Sequence, residues 1–238
     1  MILPSQYYEE KLYPLQDGVM NTISKCGVRF YLTGGTALSR AYYNHRYSDD
    51  LDFFVNNDDD YSAQVDEVFL KLKEDGFFWN SAEDFTLNKH FTSFKVGWDK
   101  SDALLKLDFV NDLAVRFGEI IKTELFERTD SIRNILSNKL TCLFRFAAKD
   151  ITDIREIALK TKVDWKQAFY DAQHKDAGID AAVACDILRG IPQSEFETIA
   201  WTKKPSWEEF CSDIDRIIYE MMSGGENQNW VKQNYGDL

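Results

Sequence analysis

The chain has 238 residues, with 40 Asp+Glu against 28 Lys+Arg for a formal net charge of -12, and it is 44% hydrophobic and 14% aromatic. Apolar content of this size can offset chain entropy and excludes a disordered protein. The acidic balance opposes indiscriminate nucleic-acid binding, which needs Lys and Arg to neutralise phosphates.

No apolar run approaches the roughly 18 residues that span a bilayer, and residues 1–10 lack a basic start followed by an apolar stretch, so no membrane segment or export signal is expected. Cys26, Cys142, Cys185 and Cys211 form no C-x-x-C pair, and His45, His90 and His174 are equally scattered. Neither a zinc site nor a disulfide framework is expected, and a reducing, cytoplasmic setting is.

In chain order, residues 28–33 are β-branched and aromatic and end at Gly34-Gly35, after which residues 36–43 read as a helix with Leu38 and Tyr42 four apart. Residues 50–55 form a short strand closed by Asn56-Asn57-Asp58-Asp59-Asp60, a turn whose acids cap the next helix and otherwise face water. That helix covers residues 62–74: Val65, Val68, Phe69 and Leu72 share one face and Gly76 stops it. Residues 91–98 and 103–110 alternate as two strands of a hairpin turning at residues 99–102.

Beyond Thr129 the pattern is helical, with Ile132, Ile135, Leu136, Leu140, Leu143 and Ala147 on one face and similar stretches at 165–175, 180–189 and 206–222. The expected organisation is an α/β (α+β) domain over residues 1–125, a mixed sheet with flanking helices, and a mainly helical domain over 126–238. Tyr42-Tyr43, Phe77-Phe78-Trp79 and Cys142 are expected to fill cores, and His45 to sit in an exposed loop.

The chemistry concentrates in two places. Two glycines between a strand and a helix let a backbone approach a ligand, and the free N–H groups of a helix start favour phosphate. Then, in Arg46-Tyr47-Ser48-Asp49-Asp50-Leu51-Asp52, strand alternation puts Asp50 and Asp52 on one side. Two such carboxylates can share divalent cations, for which magnesium is suited by its preference for hard oxygen ligands. Asp108 is the one acid amid Leu104, Leu105, Leu107, Phe109 and Val110, and if its strand neighbours the first, three carboxylates converge. Asp108 would then also be placed to act as a general base toward an acceptor hydroxyl.

These blocks resemble the nucleotidyltransferase superfamily, and more closely its AbiEii/AbiGii toxin branch of type IV toxin-antitoxin and phage-abortive systems. The resemblance rests on Gly34-Gly35-Thr36-Ala37-Leu38, on Arg46-x-Ser48-x-Asp50-Leu51-Asp52-Phe53-Phe54, and on residues 138–154, similar to that branch's K-L-x-x-L-x-x-R-x-x-x-[KR]-D-x-x-D-[IL] through Lys139, Arg145, Lys149, Asp150 and Asp153. It implies a nucleotidyltransferase fold, a triphosphate cradled by Gly34, Gly35 and Thr36 with Arg46 and Ser48 in support, magnesium on Asp50, Asp52 and Asp108, and Lys139 on a phosphate. It further implies transfer of a nucleoside monophosphate from a triphosphate, GTP in some relatives, to a hydroxyl such as that of a tRNA end, and a cognate antitoxin encoded nearby.

Residues 116–166, with 11 basic and 8 acidic side chains, would be the RNA-docking stretch. Alternatives are transfer to a small molecule or protein, and a non-catalytic nucleotide sensor.

One spacing needs a physical check. On one continuous helix Lys139 and Asp150 would share a face yet lie about 16 Å apart, out of reach of one phosphate unless the helix breaks. Asp150 and Asp153 are therefore expected to orient Lys or Arg groups near the cleft, the alternative for Asp153 being an ordinary i,i+4 pair with Lys149.

Overall fold

Among the described residues, six strands form one sheet: β1 (Tyr31–Thr33), β2 (Leu51–Asn56), β3 (Phe77–Phe78), β4 (Thr86–Leu87), β5 (Phe91–Trp98) and β6 (Ser101–Asp112), in the order β1-β2-β6-β5-β3 with β4 beside β5. The computed structural model describes residues 4–79, 85–99 and 101–227, and contacts divide the chain into two units, Met1–Asp130 and Ser131–Leu238. Within the sheet β2 and β6 are parallel and the other pairs antiparallel. A parallel pair needs a long crossover, here made by the helix Tyr61–Glu74 and the strands that follow it. The turn of the β5–β6 hairpin lies partly outside the described residues.

Alternation sends Leu51, Phe53 and Val55 of β2, Phe94 and Val96 of β5, and Leu105, Leu107 and Phe109 of β6 into the core. Rings of Phe53 and Phe109 stack at 5.4 Å, and those of Phe94 and Phe109 at 6.0 Å. Against this face lie the helix Tyr61–Glu74, through Val65, Val68 and Leu72, and an N-terminal helix, Tyr13–Ser24, entered through Pro4–Tyr7 and the π-helical turn Tyr8–Leu12. Leu12, Leu15, Val19 and Ile23 of that helical run are all buried, at spacings of three and four.

Three local expectations change. The strand expected over 28–33 starts only at Tyr31, because the Arg29 N–H donates to Gln64 Oε1 at 2.6 Å rather than to a strand. The helix after the glycines is Gly34–Thr36 followed by a π-helical Ala37–Tyr43, closed by Asn44 in the left-handed region at φ 49°. The acidic turn is not a cap: Asp60 makes no side-chain capping bond, and instead the Arg29 guanidinium bonds Asp58 at 2.7 and 2.5 Å and Asp60 at 2.8 Å.

The Arg29 hydrogen bond, outweighing burial, holds Asp58 down at about 2. A carboxylate depressed on folding contributes stability that is present above its unfolded value, about 4, and is lost as pH falls toward its folded value. Asp58→Asn is therefore expected to lower stability at neutral pH slightly and to flatten the acid limb between pH 4 and 2, measured by urea midpoints across that range. A steep limb unchanged in the variant would refute this assignment.

A strap over residues 121–130 completes the first unit. Its Ile121 and Thr129 exchange backbone bonds at 2.9 and 2.8 Å, the Leu32 N–H donates to Arg128 O at 2.8 Å, and the Asp130 N–H donates to Leu32 O at 2.9 Å.

The second unit is helical: Ile132–Cys142, Ala148–Lys160, Trp165–Lys175, Ala181–Arg189, Gln193–Glu197 and Trp207–Ser223. The short helix Gln193–Glu197 had no counterpart in the periodicity. Ser131, Asp164, Asp180 and Ser206 cap four of these helices by accepting from backbone N–H groups, which satisfies donors a helix start leaves orphaned. Trp165 is fully buried, and the Asn227 amide donates to the carbonyls of Ala158 at 2.6 Å and Thr161 at 2.7 Å. No helix among the described residues is long and apolar enough to cross a membrane.

Candidate active site

The sheet puts four polar side chains in one row. Thr33 of β1 is the register partner of Asp52 in β2, Asp52 is that of Asp108 in β6, and Asp108 is that of Ser93 in β5. Neighbouring strands lie about 4.8 Å apart, so Asp52 and Asp108 stand side by side on the face opposite the core. Asp50, two residues before Asp52, immediately precedes β2.

The glycine turn closes over this row. Gly34 has φ +70°, which favours glycine, and a Cβ there would collide with the Asp52 carboxylate. A Cβ on Gly35 would meet Arg46 Nη2, with Ser48 Oγ 3.1 Å away. The Thr36 hydroxyl donates to the Asp50 carbonyl. The seven polar and glycine positions of the two N-terminal motif blocks are thus drawn to one place: Gly34 to Asp52, Gly35 to Arg46 and Ser48, and Thr36 to Asp50.

Asp108 is already engaged. Lys106 Nζ lies 2.5 Å from Asp108 Oδ2 and the Ser93 hydroxyl donates to Oδ1 at 2.6 Å. Burial pushes the Lys106 ammonium down, but the hydrogen bond and charge of Asp108, with the charges of Asp50 and Asp52, outweigh it and leave its pKa above the ordinary lysine value. All three carboxylates therefore act on one cation. Among the described residues no three His, Cys, Asp or Glu are gathered closely enough to hold a metal ion. The donor set nonetheless fits magnesium in kind, with hard carboxylate oxygens on adjacent strands and a cation already balancing them.

Several supporting residues carry no motif signal. Gln16 donates to the carbonyls of Ser48 at 3.0 Å and Asp49 at 3.3 Å and accepts from Arg40 Nη1 at 3.0 Å. Tyr8 donates to Asp49 Oδ1 at 2.6 Å, and Thr33 to Asp130 Oδ2 at 2.6 Å. The periodicity of Leu12, Leu15, Val19 and Ile23 could have placed Gln16 on a buried helix. His45 is buried, at 4% exposure, not in the exposed loop expected of it; it precedes the equally buried Arg46, and the loop folds inward onto Gly35. Phe78, expected in a core, is 50% exposed, and Cys142 is only partly covered.

In the second unit the helix does break. Ile132–Cys142 gives way to a 3₁₀ turn, Leu143–Arg145, then Phe146 at φ 55°, before Ala148–Lys160 begins. The break folds Asp150 back onto Lys139. Lys139 Nζ lies 2.7 Å from both Asp150 Oδ1 and Asp153 Oδ2, Arg145 Nη2 lies 2.8 Å from Asp150 Oδ2, and both carboxylates are 0% exposed. Asp153 is therefore Lys139's partner in the interior, not half of an exposed i,i+4 pair with Lys149.

At least six of the 11 basic side chains in 116–166 are engaged in ion pairs: Arg133, Arg155, Lys160 and Lys162 with Asp171, Asp213, Glu156 and Glu226, besides Lys139 and Arg145. An excess counted along the chain is thus offset in space.

Comparison with known proteins bears on the fold and on the family. No curated protein matches the chain. Among solved structures, JHP933 from Helicobacter pylori is 18% identical with a TM-score of 0.60 over 94% of each chain. A second H. pylori protein, named as a candidate nucleotidyltransferase, is 19% identical with a TM-score of 0.59 over 95% of this chain and 99% of its own. At such identities the likeness is one of fold. The family model for the nucleotidyl transferase AbiEii toxin of type IV toxin-antitoxin systems matches residues 20–216, a span that takes in the glycine turn, the carboxylate row and the Lys139 cluster, and the chain belongs to that family.

Proposed function

We propose that this nucleotidyltransferase moves a nucleoside monophosphate from a triphosphate, GTP by family resemblance, to a hydroxyl of RNA, a tRNA end being the favoured acceptor. The observation that carries the reading is the Asp52–Asp108 register pair beneath the Gly34-Gly35 turn. The backbone N–H groups at the start of Gly34–Thr36 and the Arg46 guanidinium bind the triphosphate. Asp50, Asp52 and Asp108 would hold magnesium, which when bound supplies charge neutralisation at the reacting phosphate. The acceptor oxygen attacks the α-phosphorus, the bond to the β-phosphate oxygen breaks, pyrophosphate leaves, and the hydroxyl proton passes to Asp108 Oδ2.

Lys139 and Asp150 are assigned to the nucleotide by the family pattern, Asp150 as the group that fixes the Lys139 ammonium. A cognate antitoxin is the partner that type IV membership suggests.

The test is transfer of label from each of the four α-labelled triphosphates, with magnesium, to total RNA and purified tRNA, comparing wild type with Asp52→Asn. Label on tRNA that vanishes in the variant supports the proposal; transfer that persists in the variant overturns it. Gly34→Ala is expected to be folded but about 10²-fold slower, since its methyl displaces the Asp52 carboxylate and sub-ångström placement governs such steps. Wild-type rates in Gly34→Ala would mean that the turn does not position Asp52.

A further inference from the structure

The open face of the sheet continues past the carboxylate row. Lys95 and Lys106 are direct register partners on β5 and β6, and Gly97 and Leu104 are the next pair on the same face. Phe78 of β3 is the partner of Gly97 from the other side, and its ring lies across that glycine, since a Cβ there would run into it. Successive same-face positions are about 6.8 Å apart along a strand. The face therefore reads, in equal steps, as carboxylates, then two ammonium groups, then an apolar shelf. Lys95 is exposed, and the shelf is exposed too, with Phe78 at 50% and Leu104 at 58%.

Like charges directly opposite across a strand pair are unfavourable. Lys106 is held toward Asp108 at 2.5 Å with Lys95 as its register partner, so an anion placed between the two ammonium groups is favoured. An exposed aromatic ring one step further offers a stacking surface for a base.

We propose that Lys95, Lys106 and Phe78 form the acceptor subsite, binding a single-stranded RNA end with a phosphodiester between the two ammonium groups and a base on the Phe78 ring, so that the terminal hydroxyl reaches the carboxylate row. This rests on the RNA-acceptor reading above and deepens it. The occupant follows from charge and shape: two cations that are register partners stand one step from the carboxylate row and one step from an exposed aromatic ring on the same face.

The experiment is fluorescence anisotropy of a fluorescein-labelled eight-nucleotide single-stranded RNA in magnesium, titrated at several salt concentrations. Lys95→Met and Lys106→Met are each expected to weaken binding and to reduce the magnitude of the salt slope by about 0.7, the share of one phosphate contact on a single strand. Phe78→Ala is expected to weaken it roughly 5- to 150-fold with the slope unchanged. Lys71→Met, on the helix Tyr61–Glu74, leaves both unaltered.

Thermal melting separates function from structure: Lys95 is exposed, and surface substitutions change stability little, so the melting temperature of Lys95→Met should stay close to wild type while RNA affinity falls. Unchanged affinity and slope in Lys95→Met, or no RNA binding by the wild type, overturns the subsite. Neither result touches the label-transfer assay, where Asp52→Asn decides the nucleotidyltransferase reading separately.

Discussion

Lys139→Met is expected to destabilise the second unit by about 3–5 kcal/mol, the usual cost of removing one partner from a buried charge cluster. The lysine ammonium bridges Asp150 and Asp153, whose side chains are 0% exposed. Methionine fills the volume but leaves Asp153 without that ion pair and Asp150 facing Arg145 alone of the two cations that held it. Urea unfolding of both proteins measures the loss through the shift in midpoint at constant slope. Adding Asp153→Asn to the variant should restore part of it, because a buried neutral amide costs less than an uncompensated carboxylate. A midpoint within experimental scatter of wild type would show that the cluster is not what holds the helix break in place.

Asp52→Asn should have the opposite profile. Transfer is expected to fall by roughly 10³-fold or more, since metal-assisted charge stabilisation at such centres amounts to several kcal/mol. Stability should hold or rise, because Asp52 stands beside Asp108 on the adjacent parallel strand and the amide removes one of two neighbouring negative charges. Lys106 keeps its bond to Asp108. The pair of readouts is decisive: rate constants from label transfer and melting temperature from the same preparation. Activity and stability lost together would point to a structural carboxylate, whereas activity lost from a protein that melts no lower marks a functional one.

Much of the first unit was legible because its signals are local. The glycine turn, the alternation of residues 50–55 and 103–110, and the stripe Val65, Val68 and Leu72 each depend on neighbours within one element. That Asp108 would stand beside Asp52 needed one further condition, adjacency of two strands, and the parallel β2–β6 pairing supplies it.

What could not be read was long-range. The Asp58–Asp60 turn looks like any helix cap until Arg29 is found beside it, and a loop histidine looks exposed until Arg46 and Ser48 fold onto Gly35. The break after Cys142 carries neither Gly nor Pro. Phe146 adopts a left-handed conformation that a bulky residue rarely takes, and the ion pairs of Lys139 with Asp150 and Asp153 accompany it. A sequence pattern shows that Lys139 and Asp150 are three turns apart; it does not show that the turns are folded back. The Gln16 brace was missed for a different reason: the periodicity of its helix was present but had no motif to draw attention to it.

The strap over residues 121–130 bears on association through the edge of the sheet. β1 has β2 on one side only, and an unprotected outer strand invites pairing with another chain. Backbone bonds from Leu32 to Arg128 and Asp130, and the bond from the Thr33 hydroxyl to Asp130, occupy that side. A fragment ending at residue 125 would strip this guard from β1, exposing Leu32's backbone at the very edge that leads into Gly34. It should aggregate or dimerise through β1, while a fragment ending after Asp130 keeps the edge closed.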